Sequence, residues 1–533
     1  MPEPPHNEPP LQSTGPVAVE TLSAAEEAFE RWRRRAGVVL APVAFAAVHV
    51  LSTGLSGPGR TLAAILAAIV VLWVTETLPL AVTALLGAVL AVVLGVAPAK
   101  QVFAHFGDPI IFLFIGSFIL ARAMAVHRLD QRIALGFLSM RSLSASPARL
   151  LAGVGVVTAF LSMWDSNTAT TAMMLPIALG ILGALHEARV AAGTASGPID
   201  ARSWSFATAM MLMIAYSASI GGLGTPVGSP PNLIGIGFIR NSTGVSIDFF
   251  TWMSLAVPIL LVMAVVLFVM LHRLHPDRVQ RGDAGDADHV EAIRQYVAWE
   301  RAALGGWTRG QINTLVAFGV AVILWTLPGI LAVLGVADSA AGVWLQSRMP
   351  EAVAALIAAI LLFVLPTGGG TAPATLSWND AASIDWGTIL LFGGGLALGS
   401  LMFETGVATA IGEGLAGGLG ASSTWTLTFG AIALGIVLSE TTSNTASASM
   451  AVPVVIAIAQ AGGVNPVPAA LGACFGASFG FMLPVSTPPN AIVYGSGLVP
   501  IPRMIRAGVL FDVVGLFIIW IGLRVLCPLL GLG

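Results

Sequence analysis

The sequence predicts an all-α polytopic membrane protein, because its composition is apolar and its few charges are clustered. The chain has 533 residues, of which 56% are hydrophobic and 10% charged, against about a quarter charged in an average soluble chain. Of 24 Lys and Arg and 27 Asp and Glu, 10 lie in residues 1–35 and 12 in residues 273–310. The others cannot give so long a chain a charged surface, so lipid must be its main solvent. This excludes a soluble enzyme, a disordered scaffold and a nucleic-acid-binding protein.

Apolar segments of membrane-spanning length recur along the chain, since one helical crossing needs about 20 residues. Eleven candidate spans lie near 36–54, 61–77, 80–97, 109–126, 204–240, 250–272, 311–334, 351–365, 386–404, 466–498 and 505–530. Two more, 147–185 and 424–462, are too long for one crossing and carry polar clusters at their midpoints. The sequence therefore predicts about 11 transmembrane helices plus two re-entrant hairpins.

Basic residues predict the orientation. The arginines between 31 and 35 place the N-terminus in the cytoplasm, and six more place the 273–310 loop there too. Six crossings separate these two segments, which agrees with that assignment, and the C-terminus is then outside. We expect a multi-pass protein of the cell (inner) membrane. Its predicted parts are a cytosolic tail 1–35, a first span 36–60, a first repeat 61–272, a cytosolic linker 273–310 and a second repeat 311–533.

Two motifs occur twice. Residues 166–176 read Ser-Asn-Thr-Ala-Thr-Thr-Ala-Met-Met-Leu-Pro, and residues 443–453 read Ser-Asn-Thr-Ala-Ser-Ala-Ser-Met-Ala-Val-Pro. Further on, Pro-Val-Gly-Ser-Pro-Pro-Asn at 226–232 returns as Pro-Val-Ser-Thr-Pro-Pro-Asn at 484–490. The chain therefore contains a duplicated half.

The spacing of the motifs supports the duplication. The first motif asparagine follows Gly116 by 51 residues, and its counterpart follows Gly394 by 50. The two asparagines of each half are 65 residues apart in the first half and 46 in the second. We interpret the polar stretch 186–204 as a loop insertion that accounts for the excess. The repeats start an odd number of crossings apart, which predicts an inverted repeat, typical of secondary transporters with a site near the membrane midplane.

The repeated motifs place polar groups and broken backbone at membrane depth. Unsatisfied backbone there costs several kcal/mol per group, so protein, water or ligand must satisfy it. The Pro-Pro-Asn elements should break the helices at 204–240 and 466–498. On one side a break exposes N–H groups and a positive dipole end, which suit a carboxylate. On the other side it exposes carbonyls, which suit Na⁺. No Lys or Arg lies in either motif, so a bound cation would have to offset the anion's charge.

These residues resemble the divalent anion/sodium symporter (DASS) family of di- and tricarboxylate transporters. Paired Ser-Asn-Thr motifs, here at 166–168 and 443–445, are its hallmark, and Phe-Gly-Gly-Gly-Leu-Ala-Leu-Gly at 392–399 is similar to its members. The resemblance implies an elevator-type homodimer, in which a transport domain carries both hairpins past a fixed scaffold. It implies no enzymatic activity and no cofactor, with Na⁺ as the coupling ion.

The resemblance also implies ligand sites. The first sodium site would consist of Ser162, Ser166, Asn167 and the Gly228 carbonyl. The second would consist of Ser439, Thr442, Asn444 and Ser486, with further backbone oxygens. Substrate carboxylates would bind Asn167, Thr168 and Ser229 at one tip and Ser443, Asn444, Thr445, Thr487 and Pro488 at the other.

Two charged residues near the tips have alternative roles, and two others are placed outside the site. Asp165 departs from the family's pattern, and it is either a proton-coupling group or a carboxylate that is hydrogen-bonded or exposed to water at the hairpin tip. For Glu440 we favour a structural or cation-stabilising role over proton transfer. We place Glu76 and Arg122 at span ends or scaffold contacts and not in the site.

The leading hypothesis is Na⁺-coupled symport of a small dicarboxylate such as succinate, malate or fumarate. Its partners would be that anion, Na⁺, the lipid bilayer and a second copy of the chain. The alternatives are a Na⁺-independent dicarboxylate exchanger, or a carrier of citrate or sulfate. An anion channel is less favoured because the motifs lack basic selectivity residues.

Overall fold

The fold is helical throughout the part of the chain that can be described. A computed structural model describes residues 24–140, 142–143, 146–199, 204–276, 286–368, 374–416 and 423–533. Within these ranges the regular elements are helices, apart from one isolated bridge between Pro366 and Ala374. The predicted all-α class is confirmed.

Eleven described α-helices precede the linker. They are α1 Ala24–Leu51, α2 Gly57–Thr75, α3 Leu80–Val93, α4 Ala99–Ala104, α5 Pro109–Val126, α6 Leu129–Leu138, α7 Pro147–Ser162, α8 Asn167–Ala191, α9 Ser205–Gly221, α10 Pro230–Thr243 and α11 Phe249–Leu274. The linker contains α12, Asp286–Ala303.

Eleven more described helices follow the linker. They are α13 Arg309–Val333, α14 Ala340–Arg348, α15 Glu351–Val364, α16 Trp378–Ala382, α17 Trp386–Glu404, α18 Val407–Ala416, α19 Thr424–Thr441, α20 Asn444–Ala461, α21 Pro466–Gly476, α22 Pro488–Tyr494 and α23 Ile501–Leu529.

Helices of membrane-spanning length confirm a polytopic membrane protein. Ten helices of the described residues are long and apolar enough to cross a bilayer, or eleven if the bent pair α14–α15 is one span. Three of the ten, α8, α19 and α20, belong to the stretches predicted as hairpins. The polar clusters do interrupt those stretches, between α7 and α8 and between α19 and α20.

The predicted helix breaks are also present. The stretch 204–240 is divided into α9 and α10, and 466–498 into α21 and α22. In each case the second helix begins with the two prolines of Pro-Pro-Asn, because proline is accepted in the first helical turn but not in the interior.

The insertion in the first half is only partly a loop. Helix α8 has 25 residues where its counterpart α20 has 18, and it continues through His186 to Ala191. The interpretation of 186–204 as a loop was therefore wrong for its first six residues. Glu187, Ala188 and Arg189 are good helix formers, so the helix extends beyond the apolar segment.

The two halves pack reciprocally. Helix α10 of the first half packs on α20 of the second, and α22 of the second half packs on α8 of the first. In the same way, α5 packs on α15 and α17 packs on α3. Each half therefore supplies the surface that its counterpart needs, as two repeats related by a two-fold axis would. Their opposite orientation in the membrane stays a prediction.

The repeated glycines allow these reciprocal contacts. A Cβ on Gly116 of α5 would lie 2.7 Å from the carbonyl carbon of Ala355 in α15. A Cβ on Gly394 of α17 would lie 2.9 Å from the carbonyl oxygen of Ala84 in α3. Both distances are too short for a side chain, so close helix packing explains the two glycines that mark the repeat.

Helices α9 and α21 are buried along almost their whole length. Every residue from Phe206 to Gly221 of α9 and from Val467 to Gly476 of α21 is buried. A helix that is apolar on all sides is stable only inside a bundle or a membrane. The breaks that follow these two helices are therefore positioned by the most deeply buried elements of each half.

Candidate functional site

Both hairpin tips have the same local structure. Ser166 caps α8 by accepting a hydrogen bond from the Ala169 N–H at 3.1 Å, and Ser443 caps α20 by accepting one from Ala446 at 3.2 Å. Serine is a favoured N-cap because its hydroxyl satisfies an N–H that the helix leaves free. The Ser-Asn-Thr motifs thus start two helices whose N-terminal ends form the tips.

Each helix break is held by the asparagine of its Pro-Pro-Asn motif. The Asn232 Nδ2 donates to the carbonyls of Gly222 at 2.7 Å and Thr225 at 2.8 Å. The Asn490 Nδ2 donates to those of Gly480 at 2.9 Å and Leu483 at 3.0 Å. Both asparagines are fully buried. These bonds give partners to carbonyls of the non-helical segments that follow α9 and α21, where no helix ladder satisfies them.

The first predicted sodium site is a cluster of neutral side-chain and carbonyl oxygens. The Ser162 Oγ lies 2.7 Å from both the Asn167 Oδ1 and the Ala218 carbonyl oxygen. A hydroxyl has one proton, so it can donate to only one of them. A Cβ on Gly228 would lie 2.7–3.0 Å from the carbonyl oxygens of Gly222, Met163 and Ser162. The Gly222 and Met163 carbonyls also accept hydrogen bonds from Asn232 and Thr225. Neutral oxygens of this kind are the ligands that a hard cation prefers.

The second predicted sodium site repeats the first only in part. The Ser439 Oγ donates to the Asn444 Oδ1 at 2.8 Å, as Ser162 does to Asn167. The Ser486 Oγ instead donates to the Glu440 Oε2 at 2.6 Å. The Thr442 hydroxyl is directed at the Trp73 carbonyl of α2, 3.4 Å away. Ser439 and Asn444 therefore form the common part, while the Thr442 hydroxyl points away from it.

Glu440 binds the broken backbone next to the second tip. Its Oε1 accepts hydrogen bonds from the N–H groups of Phe481 at 2.6 Å and Met482 at 2.9 Å. The side chain is 4% exposed. With the Ser486 hydroxyl, three donors bind the two carboxylate oxygens, and this geometry supports the structural role favoured for Glu440.

The tips and breaks of both halves line one cavity of about 500 Å³. All eight residues predicted to bind the substrate lie on its wall: Asn167, Thr168, Ser229, Ser443, Asn444, Thr445, Thr487 and Pro488. Ser166, Gly228 and Ser486 of the predicted sodium sites also line it. Ser162, Ser439 and Thr442 are buried and are not among its lining residues. Whether these groups bind anion and Na⁺ stays a prediction.

Asp165 lies on the same wall as the first tip. The side chain is 6% exposed, and its Oδ1 accepts a hydrogen bond from the Ser166 N–H at 2.7 Å. This contact corresponds to the hydrogen-bonded alternative for Asp165. The residue also lines the cavity.

The remaining wall contains residues that the sequence analysis did not assign to the site. Phe118, Ala121, Arg122 and Ala125 come from α5, and Ser383, Ile384, Asp385 and Thr388 from the segment around the start of α17. None of them lies in a repeated motif. Helical periodicity is the one signal that groups residues 118, 121, 122 and 125, which share a face of α5.

A family comparison identifies the class of protein. Residues 30–531 match the family model of the sodium:sulfate symporter transmembrane region, which covers nearly the whole chain. The chain belongs to the divalent anion/sodium symporter family. This confirms the resemblance seen in the motifs, and the protein is accordingly a sodium-coupled anion transporter and not an enzyme.

Individual proteins similar to this DASS member are also transporters by name. An uncharacterized transporter of Haemophilus influenzae is 35% identical over 462 residues, which is 86% of this chain and 89% of that protein. The sodium-dependent dicarboxylate transporter SdcS of Staphylococcus saprophyticus is 32% identical over 497 residues, 92% of this chain and 91% of that one. SdcS of Staphylococcus aureus strain USA300 is 32% identical over 449 residues, 84% of this chain and 82% of that one.

Replacing the asparagines of the breaks should destabilise the fold. Asn232→Ala removes the donor to the buried Gly222 carbonyl and Asn490→Ala the donor to the buried Gly480 carbonyl, whereas the Thr225 and Leu483 carbonyls keep the N–H groups of Gly228 and Ser486. We expect a cost of about 2 kcal/mol per variant. We expect a lower melting temperature in detergent without ligand. Thr168→Ala is the control, because Thr168 is an exposed tip residue. Melting temperatures equal to that of the unmodified protein would show that the breaks do not depend on these bonds.

Proposed function

We propose that this DASS member is a secondary active transporter that moves a small dicarboxylate together with Na⁺ across the cell membrane. The observation that carries the proposal is the shared cavity, into which both Ser-Asn-Thr tips open. Succinate, malate and fumarate are the substrates that we expect.

The arrangement of donors favours an anion with two separated carboxylates. Helices α8, α10 and α20 all begin at the cavity wall, so their positive dipole ends favour negative charge there. The two tips contribute separate groups of Asn, Ser and Thr donors. A dicarboxylate can bind both groups at once, whereas a compact anion such as sulfate can occupy only one fully.

The oxygen clusters behind the tips support coupling to Na⁺. In the first half, Ser162 and Asn167 adjoin several carbonyl oxygens; in the second, Ser439 and Asn444 make the equivalent contact. Asn167 and Asn444 belong both to these clusters and to the cavity wall. A sodium ion at each cluster would fix the asparagine side chain and place positive charge beside the substrate, so that each ion offsets the burial cost of the other.

The names of two relatives agree with this choice of substrate. Both SdcS proteins are described as sodium-dependent dicarboxylate transporters. The family model itself refers to sulfate, which keeps sulfate as the competing cargo.

Uptake into proteoliposomes tests the proposal. We expect accumulation of labelled succinate with an inward Na⁺ gradient and none with K⁺, and a loss of more than about tenfold in Asn167→Ala or Asn444→Ala, because each asparagine serves both ions. Asn241→Ala, an exposed asparagine outside the cavity, should transport normally.

Other outcomes select other functions. Uptake that is indifferent to Na⁺, with counterflow from preloaded vesicles, would indicate an exchanger. Accumulation of citrate or sulfate that succinate does not inhibit would change the substrate. Currents far above carrier turnover would indicate a channel.

Sodium binding can be measured without transport. A ligand that binds only the folded state stabilises it by mass action, so NaCl should raise the melting temperature above that in equal KCl. We expect Ser162→Ala and Ser439→Ala to reduce this increase, since each removes a predicted ligand. Ser400→Ala, on an exposed turn of α17 outside both clusters, should keep it. A wild-type protein that NaCl does not stabilise would contradict the two sodium sites.

We further propose a cytoplasmic N-terminus, an external C-terminus, and an elevator-type homodimer as the family resemblance implies. The basic residues of the linker support the orientation, and light scattering of the purified protein would measure the oligomeric state.

Thiol labelling tests the orientation. The native Cys474 and Cys527 are fully buried, so they should not react with a membrane-impermeant maleimide. In intact cells Gly533→Cys should be labelled, and Trp307→Cys in the linker only after permeabilisation. The reverse pattern would invert the proposed topology.

A further inference from the structure

The cavity wall contributed by α5 carries an arginine. Among the described residues, Arg122 is the one Lys or Arg side chain that lines the cavity. Its side chain is 41% exposed, so it is accessible to a ligand. The motifs that form the other walls have no cationic side chain.

Arg122 is poorly bonded for a residue in such a place. Its ion pair is with Asp380 of α16, where the Nη2–Oδ1 distance is 3.7 Å, longer than a hydrogen bond. In the described part of the chain its guanidinium makes no hydrogen bond, and its Nε is buried without a partner. By comparison, Arg240 binds both oxygens of Asp108 at 2.7 and 2.6 Å. Arg122 therefore has donors to spare for a ligand.

The neighbouring acids are already engaged. Asp385 caps α17 by accepting a hydrogen bond from the Thr388 N–H at 3.1 Å, and Asp165 accepts from the Ser166 N–H. Asp380 accepts a hydrogen bond from the Ser377 hydroxyl at 2.6 Å through its other oxygen. These carboxylates repel an entering anion, and Arg122 is positioned to offset that repulsion.

We propose that Arg122 is a substrate-binding residue, which leaves Asp380 and binds a carboxylate of the anion when the cavity is filled. This inference rests on the proposed function, and it adds a fixed positive charge to a site whose repeated motifs have none. A guanidinium can bind a carboxylate through two parallel N–H donors. Asp380 holds it loosely enough to be replaced.

A purely structural role makes a different prediction. If the ion pair only fastens α5 to α16, removing either partner should have the same effect. If Arg122 binds substrate, Asp380 competes with the anion, and removing it should have the opposite effect. Asp380→Asn separates these cases, because the amide keeps the acceptor for Ser377 but loses the charge.

The experiment is a set of initial uptake rates against anion concentration. We expect Arg122→Gln to raise KM about tenfold, as the loss of a charge-assisted hydrogen bond predicts, with the maximal rate nearly unchanged. Arg122→Lys should lie between, Asp380→Asn should lower KM, and the double variant should resemble Arg122→Gln. Arg294→Gln, which makes the same charge change in the linker, is the control.

Two results would overturn the inference. One is a KM for Arg122→Gln equal to that of the unmodified protein. The other is a rise in KM and a fall in melting temperature common to Arg122→Gln and Asp380→Asn, which would assign the pair to structure. The unmodified protein is assayed with succinate, citrate and sulfate, and KM is compared for whichever anion it carries. A wrong substrate in the proposed function is thereby distinguished from a wrong role for Arg122.

Discussion

The structure depends on one constraint: a helix broken inside an apolar bundle must satisfy its freed backbone groups without bulk water. Asn232 and Asn490 meet it by donating to two carbonyls each. In the second half Glu440 does the same for two N–H groups. Because each unsatisfied group costs several kcal/mol at membrane depth, these side chains hold the breaks open and fixed.

Fixed breaks determine the shape of the site. Each break lies directly after a helix that is buried on all sides, and the helix that follows it packs on the opposite half. Two tips and two breaks are thereby brought to a single cavity. Neither half alone could form this cavity, so the site requires both copies of the repeat.

The sequence predicted those parts of the site that follow from local chemistry. Pro-Pro-Asn marks a helix break wherever it occurs, and Ser-Asn-Thr after an apolar stretch marks a helix start, so both could be placed without coordinates. Arg122 could not, because its position depends on how α5 packs on α15 and α16. The contact of the Thr442 hydroxyl with the Trp73 carbonyl of α2, 369 residues away in the chain, could not be predicted either, and the assignment of Thr442 to a sodium site stays a prediction. The extension of α8 through residues 186–191 differs from the predicted loop because these residues, although partly polar, include good helix formers.

The charged groups and the neutral donors of the cavity lie on different parts of its wall. Fixed charges lie at Arg122 of α5, at Asp385 before α17 and at Asp165, while the Ser-Asn-Thr tips offer neutral donors. A fixed cation at a tip would bind the anion whether or not Na⁺ were present, and the two fluxes would be uncoupled. With neutral tips, positive charge at the tips themselves would be supplied by the proposed sodium ions. A single loosely held arginine on the wall is compatible with this, since it can add affinity for the anion while the tips still require the cation.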